Sequence, residues 1–125
     1  MGSENPPISE GINLERFQEL SDRDPKSLLE LIELYLSKTS EQIRELEKAL
    51  SHQVTGDIVR IAHSMIGANS MVGMSTLLPA LRELEEHGEK QDLPLAKKAF
   101  HSVSTEFHRI HDVLKKHKDA MAEKP

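Results

Sequence analysis

Apolar residues return at intervals of three and four along most of this chain, the spacing that gathers side chains on one face of an α-helix. Leu28, Leu31, Ile32, Tyr35, Ile43, Leu46 and Leu50 trace one such stripe. A second runs through Val54, Ile58, Ile61, Met65, Ala68 and Val72, a third through Leu77, Leu81 and Leu84, and a fourth through Leu95, Ala99, Val103, Phe107, Ile110 and Leu114. Residues between the stripes supply helix boundaries. Asp24 is a good N-cap followed by Pro25 at the tolerated first position, which opens a helix of about 26 residues, nearly 40 Å long. Thr55 is expected to cap the third helix, with Asp57 favourably placed in its first turn. Gly73 marks a turn, and the next helix runs towards Gly88. Pro79 fits there without losing a hydrogen bond only if that helix starts near Thr76. Asp92 caps the last helix.

Ahead of these, a short helix can begin after Asn13, where Ile12 and Phe17 form a hydrophobic staple, and it should end near Ser21. Four amphipathic helices joined by short turns bury their stripes together only as a bundle. The expected fold is therefore all-α, an antiparallel four-helix bundle with an additional short N-terminal helix over one end. Its expected extent is 12–118, between a flexible leader at 1–11 and a flexible tail at 119–125.

Composition agrees with helices packed on aliphatic side chains. The chain holds three phenylalanines, one tyrosine and no tryptophan among 125 residues, so the core must be mostly Leu, Ile, Val, Ala and Met. Met65 is expected in it, with Met71 and Met74 partly exposed. With 16 basic against 21 acidic residues the formal charge is −5, and no long basic patch favours nucleic acid as a partner. The absence of cysteine excludes disulfides and thiolate chemistry. No apolar run approaches the ~20 residues that span a bilayer, and no signal segment opens the chain, so no membrane insertion and a cytoplasmic location are expected.

The chemistry-bearing residue is His63. At about 100° per residue it projects from nearly the opposite side of its helix to Ile58, Ile61, Met65 and Val72. Arg60, Gly67 and Ser70 fall on the histidine side and Val59 and Ile66 flank it, so a reactive imidazole sits on a flat surface with apolar shoulders. A mid-helix glycine costs about 1 kcal/mol relative to alanine. Gly67 therefore has a purpose, either close helix packing or access for a partner. His101, His108 and His111, at helical spacings on the last helix, are a weaker candidate for a metal site, because no cysteine assists and most surface histidines bind nothing. His52, His87 and His117 adjoin polar residues near predicted helix ends.

On this architecture the run Ala62-His63-Ser64-Met65-Ile66-Gly67-Ala68-Asn69-Ser70-Met71-Val72-Gly73 resembles the signature of the histidine-containing phosphotransfer (HPt) family. The likeness extends over most of 12–117, including Leu-Leu-Glu-Leu-Ile-Glu-Leu-Tyr at 28–35, and Leu81 with Leu84-Glu85. The resemblance implies a helical bundle carrying phosphoryl groups between aspartates of receiver domains in two-component signalling. It implies His63 as the phosphorylated residue, Gly67 beneath the docked receiver and Gly73 at the end of the site segment. Response-regulator receivers, among them the receiver of a hybrid histidine kinase, are the implied partners, docking near Val59, Arg60, Ile66, Gly67 and Ser70.

No cofactor or metal site of the chain's own is expected. Magnesium is expected on the receiver, since no acidic constellation adjoins His63 in the sequence. The chain would be a phosphoryl carrier without autonomous kinase or ATPase activity. A helical adaptor that binds a signalling partner without phosphotransfer is the other reading. The chain departs from the family pattern at Ile66, where lysine is usual. Arg60 is the obvious cation on the same face, one turn before His63.

Ile66→Lys should place a cation one turn from His63, because residues three apart share a surface. The expected outcome is longer phosphohistidine retention without a receiver and weaker docking to a receiver matched to isoleucine. Unchanged half-life and unchanged docking would remove residue 66 from the working face.

Overall fold

The computed structural model describes residue 12 and residues 14–123; the leader at 1–11 and the cap assigned to Asn13 lie outside the described residues. Five α-helices follow in order among them: α1 (Glu15–Leu20), α2 (Pro25–Ser51), α3 (Thr55–Met71), α4 (Leu78–Glu89) and α5 (Leu93–Glu123). A 3₁₀ turn, Ser75–Leu77, leads into α4.

The boundaries have local causes. The Asp24 carboxylate accepts the Ser27 N–H at 2.9 Å with Pro25 opening α2, and that backbone hydrogen bond holds the Asp24 carboxyl below the usual range. Asp92 accepts the Leu95 N–H at 3.1 Å. Pro79 falls in the first turn of α4, where its missing donor is not needed. Thr55 does not cap α3: it is the first helical residue, and Val54 precedes it at the N-cap without a side-chain bond. The turn from α2 is too tight for the expected cap. Val54 N–H still bonds back to Ala49 O at 2.9 Å, so the chain enters α3 at the very next residue.

Four helix ends close in the same way. The N–H groups of Arg23, Val54, Met74 and Asp92 reach back to Gln18, Ala49, Asn69 and His87 carbonyls at 2.7–2.9 Å, the six-to-one bond of a Schellman motif. The left-handed residues are Asp22 with Arg23 after α1, then Gln53, Gly73 and Gln91 at the later ends. Only the turn after α3 uses glycine, at φ 75, and there a Cβ would also come within 3.2 Å of Arg16 Cβ. Arg16 Nε in turn donates to Met71 O at 3.0 Å, which fastens α1 to the end of α3.

Helices α2, α3, α4 and α5 form a ring in which each packs on its sequence neighbours and α5 returns to α2. Neighbours run antiparallel, and the core between them includes Ile32, Leu46, Ile58, Met65, Leu81, Leu84, Val103, Ile110 and Leu114. Helix α1 closes one end by setting the buried Phe17 edge-on against Tyr35, with ring centroids 5.7 Å apart; Ile12 beside it is also buried.

Several expected positions shift. Val54 and Leu95 are exposed and so is Ala68; the buried face of α3 is Ile58, Ile61, Ala62, Met65, Asn69 and Val72. Its strongest packing is with α4, which turns Ala62 inward and Ala68 outward. On α5 Ala96 is buried in place of Leu95. Met74 is buried beneath the 3₁₀ turn, whereas Met71 is exposed. As expected, α4 runs to Gly88, which sits in its last turn, where an added Cβ would lie 3.0 Å from Val59 Cγ2 and 3.2 Å from Ile58 Cγ2. The tail drawn at 119–125 is helical through Glu123, because Met121 continues the stripe of Leu114 and packs on the core.

A polar seam fixes α3 against α2. Tyr35 Oη donates to Asn69 Oδ1 at 2.7 Å, and Asn69 Nδ2 donates to Met65 O at 2.8 Å. Asn69 is almost wholly buried, so each of these bonds also avoids the ~1–3 kcal/mol penalty of an unsatisfied polar group. Burial pushes the Tyr35 hydroxyl well above its ordinary range, which keeps it a donor.

Leu81 is fully buried. Leu81→Ala should cost about 2–5 kcal/mol of stability in denaturant unfolding, from lost transfer energy and the cavity left behind.

Candidate functional site

Because α3 buries Ile58, Ile61, Ala62, Met65 and Asn69, residue 63 has to face outward, and 77% of the His63 side chain is exposed. Its ring is nevertheless held. Nδ1 lies 2.8 Å from Glu85 Oε2 on α4, and the Glu85 side chain is only 22% exposed. An ionised carboxylate can only accept, so the shared proton is carried by Nδ1. In the neutral ring Nε2 then carries a lone pair, and no partner among the described residues occupies it. An exposed pair of this kind contributes only ~0–1 kcal/mol to stability. Its chemical effect is larger, since it selects one tautomer and fixes the ring's direction.

Glu85 is the site residue that sequence reasoning did not assign. Its signal was available in the hairpin geometry, since His63 and Glu85 lie at comparable separations on either side of the Gly73 turn. Helix α4 is brought close enough for the contact by Gly88, which leaves room for Val59 and Ile58 of α3.

The remaining face matches the expected placement. Arg60, Gly67 and Ser70 are exposed and Val59 and Ile66 half-buried. The two purposes open to Gly67 are now distinguishable: a Cβ there would meet nothing within 4 Å, so internal packing does not require the glycine. Gly56, about two turns before His63 on the same side, is equally open; with Gly67 and Ser70 it makes a low strip along which another surface can approach the ring. Arg60 is engaged with Asp57 at 3.5 Å in its own helix. Ser64, beside His63, accepts from Gln42 Nε2 of α2 at 3.4 Å.

The other histidines are not brought together. His108 Nδ1 lies 2.8 Å from Ser104 O, and His111 packs on Phe107 with centroids 6.1 Å apart. Among the described residues no three potential ligands converge on a metal position, beside His63 or elsewhere. No helix among them is long and apolar enough to cross a membrane.

Comparison with known proteins agrees with the geometry. A family model described as the Hpt domain matches residues 30–120, a span that contains both His63 and Glu85. The fold is similar to the crystal structure of histidine-containing phosphotransfer protein B (HptB) from Pseudomonas aeruginosa PAO1, with a TM-score of 0.76 at 22% identity, covering 84% of this chain and 91% of that one. At that identity the likeness speaks for the fold. No curated protein matches the sequence significantly. The family match covers most of the chain, and its bundle presents a histidine outward: the chain belongs to the Hpt domain family, the histidine phosphotransfer modules of two-component phosphorelays.

Proposed function

We propose that His63 is the phosphoacceptor, carrying a phosphoryl group from the aspartyl phosphate of one receiver domain to the aspartate of another. The observation that carries this reading is the 2.8 Å contact between Nδ1 and Glu85 on a ring that is otherwise open to solvent. Nε2 attacks phosphorus in line with the bond to the receiver's aspartate. The N–P bond forms as that P–O bond breaks, and the aspartate leaves as a carboxylate. The proton on Nδ1 stays where it is, and the positive charge gained by the ring is matched by Glu85. Transfer to a second receiver reverses these events and restores the imidazole.

The receiver docks, on this proposal, over Val59, Arg60, Ile66, Gly67 and Ser70. The half-buried Val59 and Ile66 offer apolar contact, while Gly67 lets the partner's backbone come near the ring. Magnesium and further basic groups come from the receiver. On this proposal the chain's role is that of a phosphoryl carrier. The cytoplasmic location expected from the sequence belongs to this proposal.

Incubation with a radiolabelled phosphoreceiver should label the protein with an acid-labile, base-stable bond. His63→Gln should retain its helicity and lose the label; equal labelling of parent and His63→Gln would refute the assignment. Gly67 provides a separate test of docking. Gly67→Ala should raise stability by up to about 1 kcal/mol through helix propensity. Gly67→Gln should keep the fold and slow transfer from the receiver. Undiminished transfer in Gly67→Gln would show that the partner approaches elsewhere.

A further inference from the structure

The pair that orients His63 also sets an electrostatic problem. A phosphoryl group on Nε2 brings roughly two negative charges to a ring whose one charged contact is the Glu85 carboxylate. A cation close to Nε2 would offset both the arriving charge and that repulsion. On α3 itself the nearby cation is Arg60, and its guanidinium is already shared with Asp57.

The packing of α4 on α3 offers another. Gly88 lies against Val59 and Ile58, and Glu85 reaches His63. The helices are antiparallel, so each step towards the start of α4 moves towards the end of α3. Arg82, three residues before Glu85 and about 4.5 Å along the axis, comes level with Ile66. Residues three apart share a helix surface, so Arg82 and Glu85 flank the same edge of the α3–α4 pair. Leu81 and Leu84, the residues immediately before them, point into the core. Arg82 is exposed, and it forms no ion pair or hydrogen bond among the described residues. Lys38 on α2 is a rival. Tyr35 opposite Asn69 and Gln42 opposite Ser64 put it at a similar height, but on the far side of α3 from the helix towards which Glu85 draws the ring.

We propose that Arg82 is the phosphoryl-contacting cation of this site, reaching across from α4 to the oxygens of the group carried on His63. This rests on His63 as phosphoacceptor and adds to it a residue that neither the histidine's own helix nor the site motif contains. Arg82 places positive charge on the apolar side occupied by Ile66, so the charge is supplied across the helix pair instead of along α3. Its planar fork suits two phosphoryl oxygens at once.

The experiment uses the full chain with phosphoramidate as donor, which transfers its phosphoryl group to the histidine and releases ammonia, so no receiver has to be identified. Phosphoryl uptake and the half-life of the product are followed for the parent and for single variants. Arg82→Gln should slow uptake and shorten the half-life, each by about fivefold, the size expected for a solvent-exposed charge contact. Arg82→Lys should recover part of both, and the difference from the parent should shrink as salt is raised. Lys98→Gln, an equal loss of charge in the groove between α4 and α5, should leave both unchanged. Circular dichroism should show the same helicity for all, since Arg82 is a surface residue.

An Arg82→Gln variant that matches the parent in uptake and half-life would overturn the proposal. So would a larger effect from Lys38→Gln than from Arg82→Gln. Label persisting in His63→Gln would instead remove the phosphoacceptor on which the proposal rests, which keeps the two failures distinct.

Discussion

The rotational setting of α3 is the constraint on which the site depends. Ile58, Ile61, Met65 and Val72 fix the helix by burial, but aliphatic packing alone tolerates small rotations. The Tyr35–Asn69 hydrogen bond between α2 and α3 resists them, because a turn of α3 would carry the buried Asn69 amide oxygen away from its donor. With that face held inward, His63 has no position except on the surface. The same register sets Gly67 and Ser70 beside it and Ile66 on the shoulder towards α4.

The second element is the close approach of α4. Gly88 brings the helix against Val59 and Ile58, and one turn earlier Glu85 meets His63. The contact is too exposed to matter much to stability, and its consequence lies in chemistry: Nδ1 is engaged and Nε2 is open. The two glycines differ in their surroundings. Gly88 serves the packing that brings Glu85 to His63, and Gly67 has free space around it, so that packing does not require it.

Much of this was legible in the sequence where one physical effect dominated. The stripes from Leu28 to Leu50 and from Ala99 to Leu114, the Asp24 and Asp92 caps, the Gly73 turn and the outward direction of His63 each follow from periodicity or cap chemistry within one helix. What failed depended on relations between helices. Ala62 rather than Ala68 is buried because α3 packs most strongly on α4, and Ala96 rather than Leu95 faces the core on α5. Thr55 lost its capping role to the tight α2–α3 turn, and Met74 was drawn under the 3₁₀ turn. Glu85 went unassigned for the same reason: nothing in its own helix marks it, and it acquires a role only through the register of the α3–α4 hairpin.

The central claim is that the Glu85 contact selects the nitrogen of His63 that carries the phosphoryl group. Phosphorus and nitrogen NMR on the phosphorylated, ¹⁵N-labelled protein reads this directly, through the nitrogen that couples to phosphorus and the one that keeps its proton. The account predicts phosphorus on Nε2 of His63 and the proton on Nδ1. Phosphorus on Nδ1, or on any other residue, would contradict it.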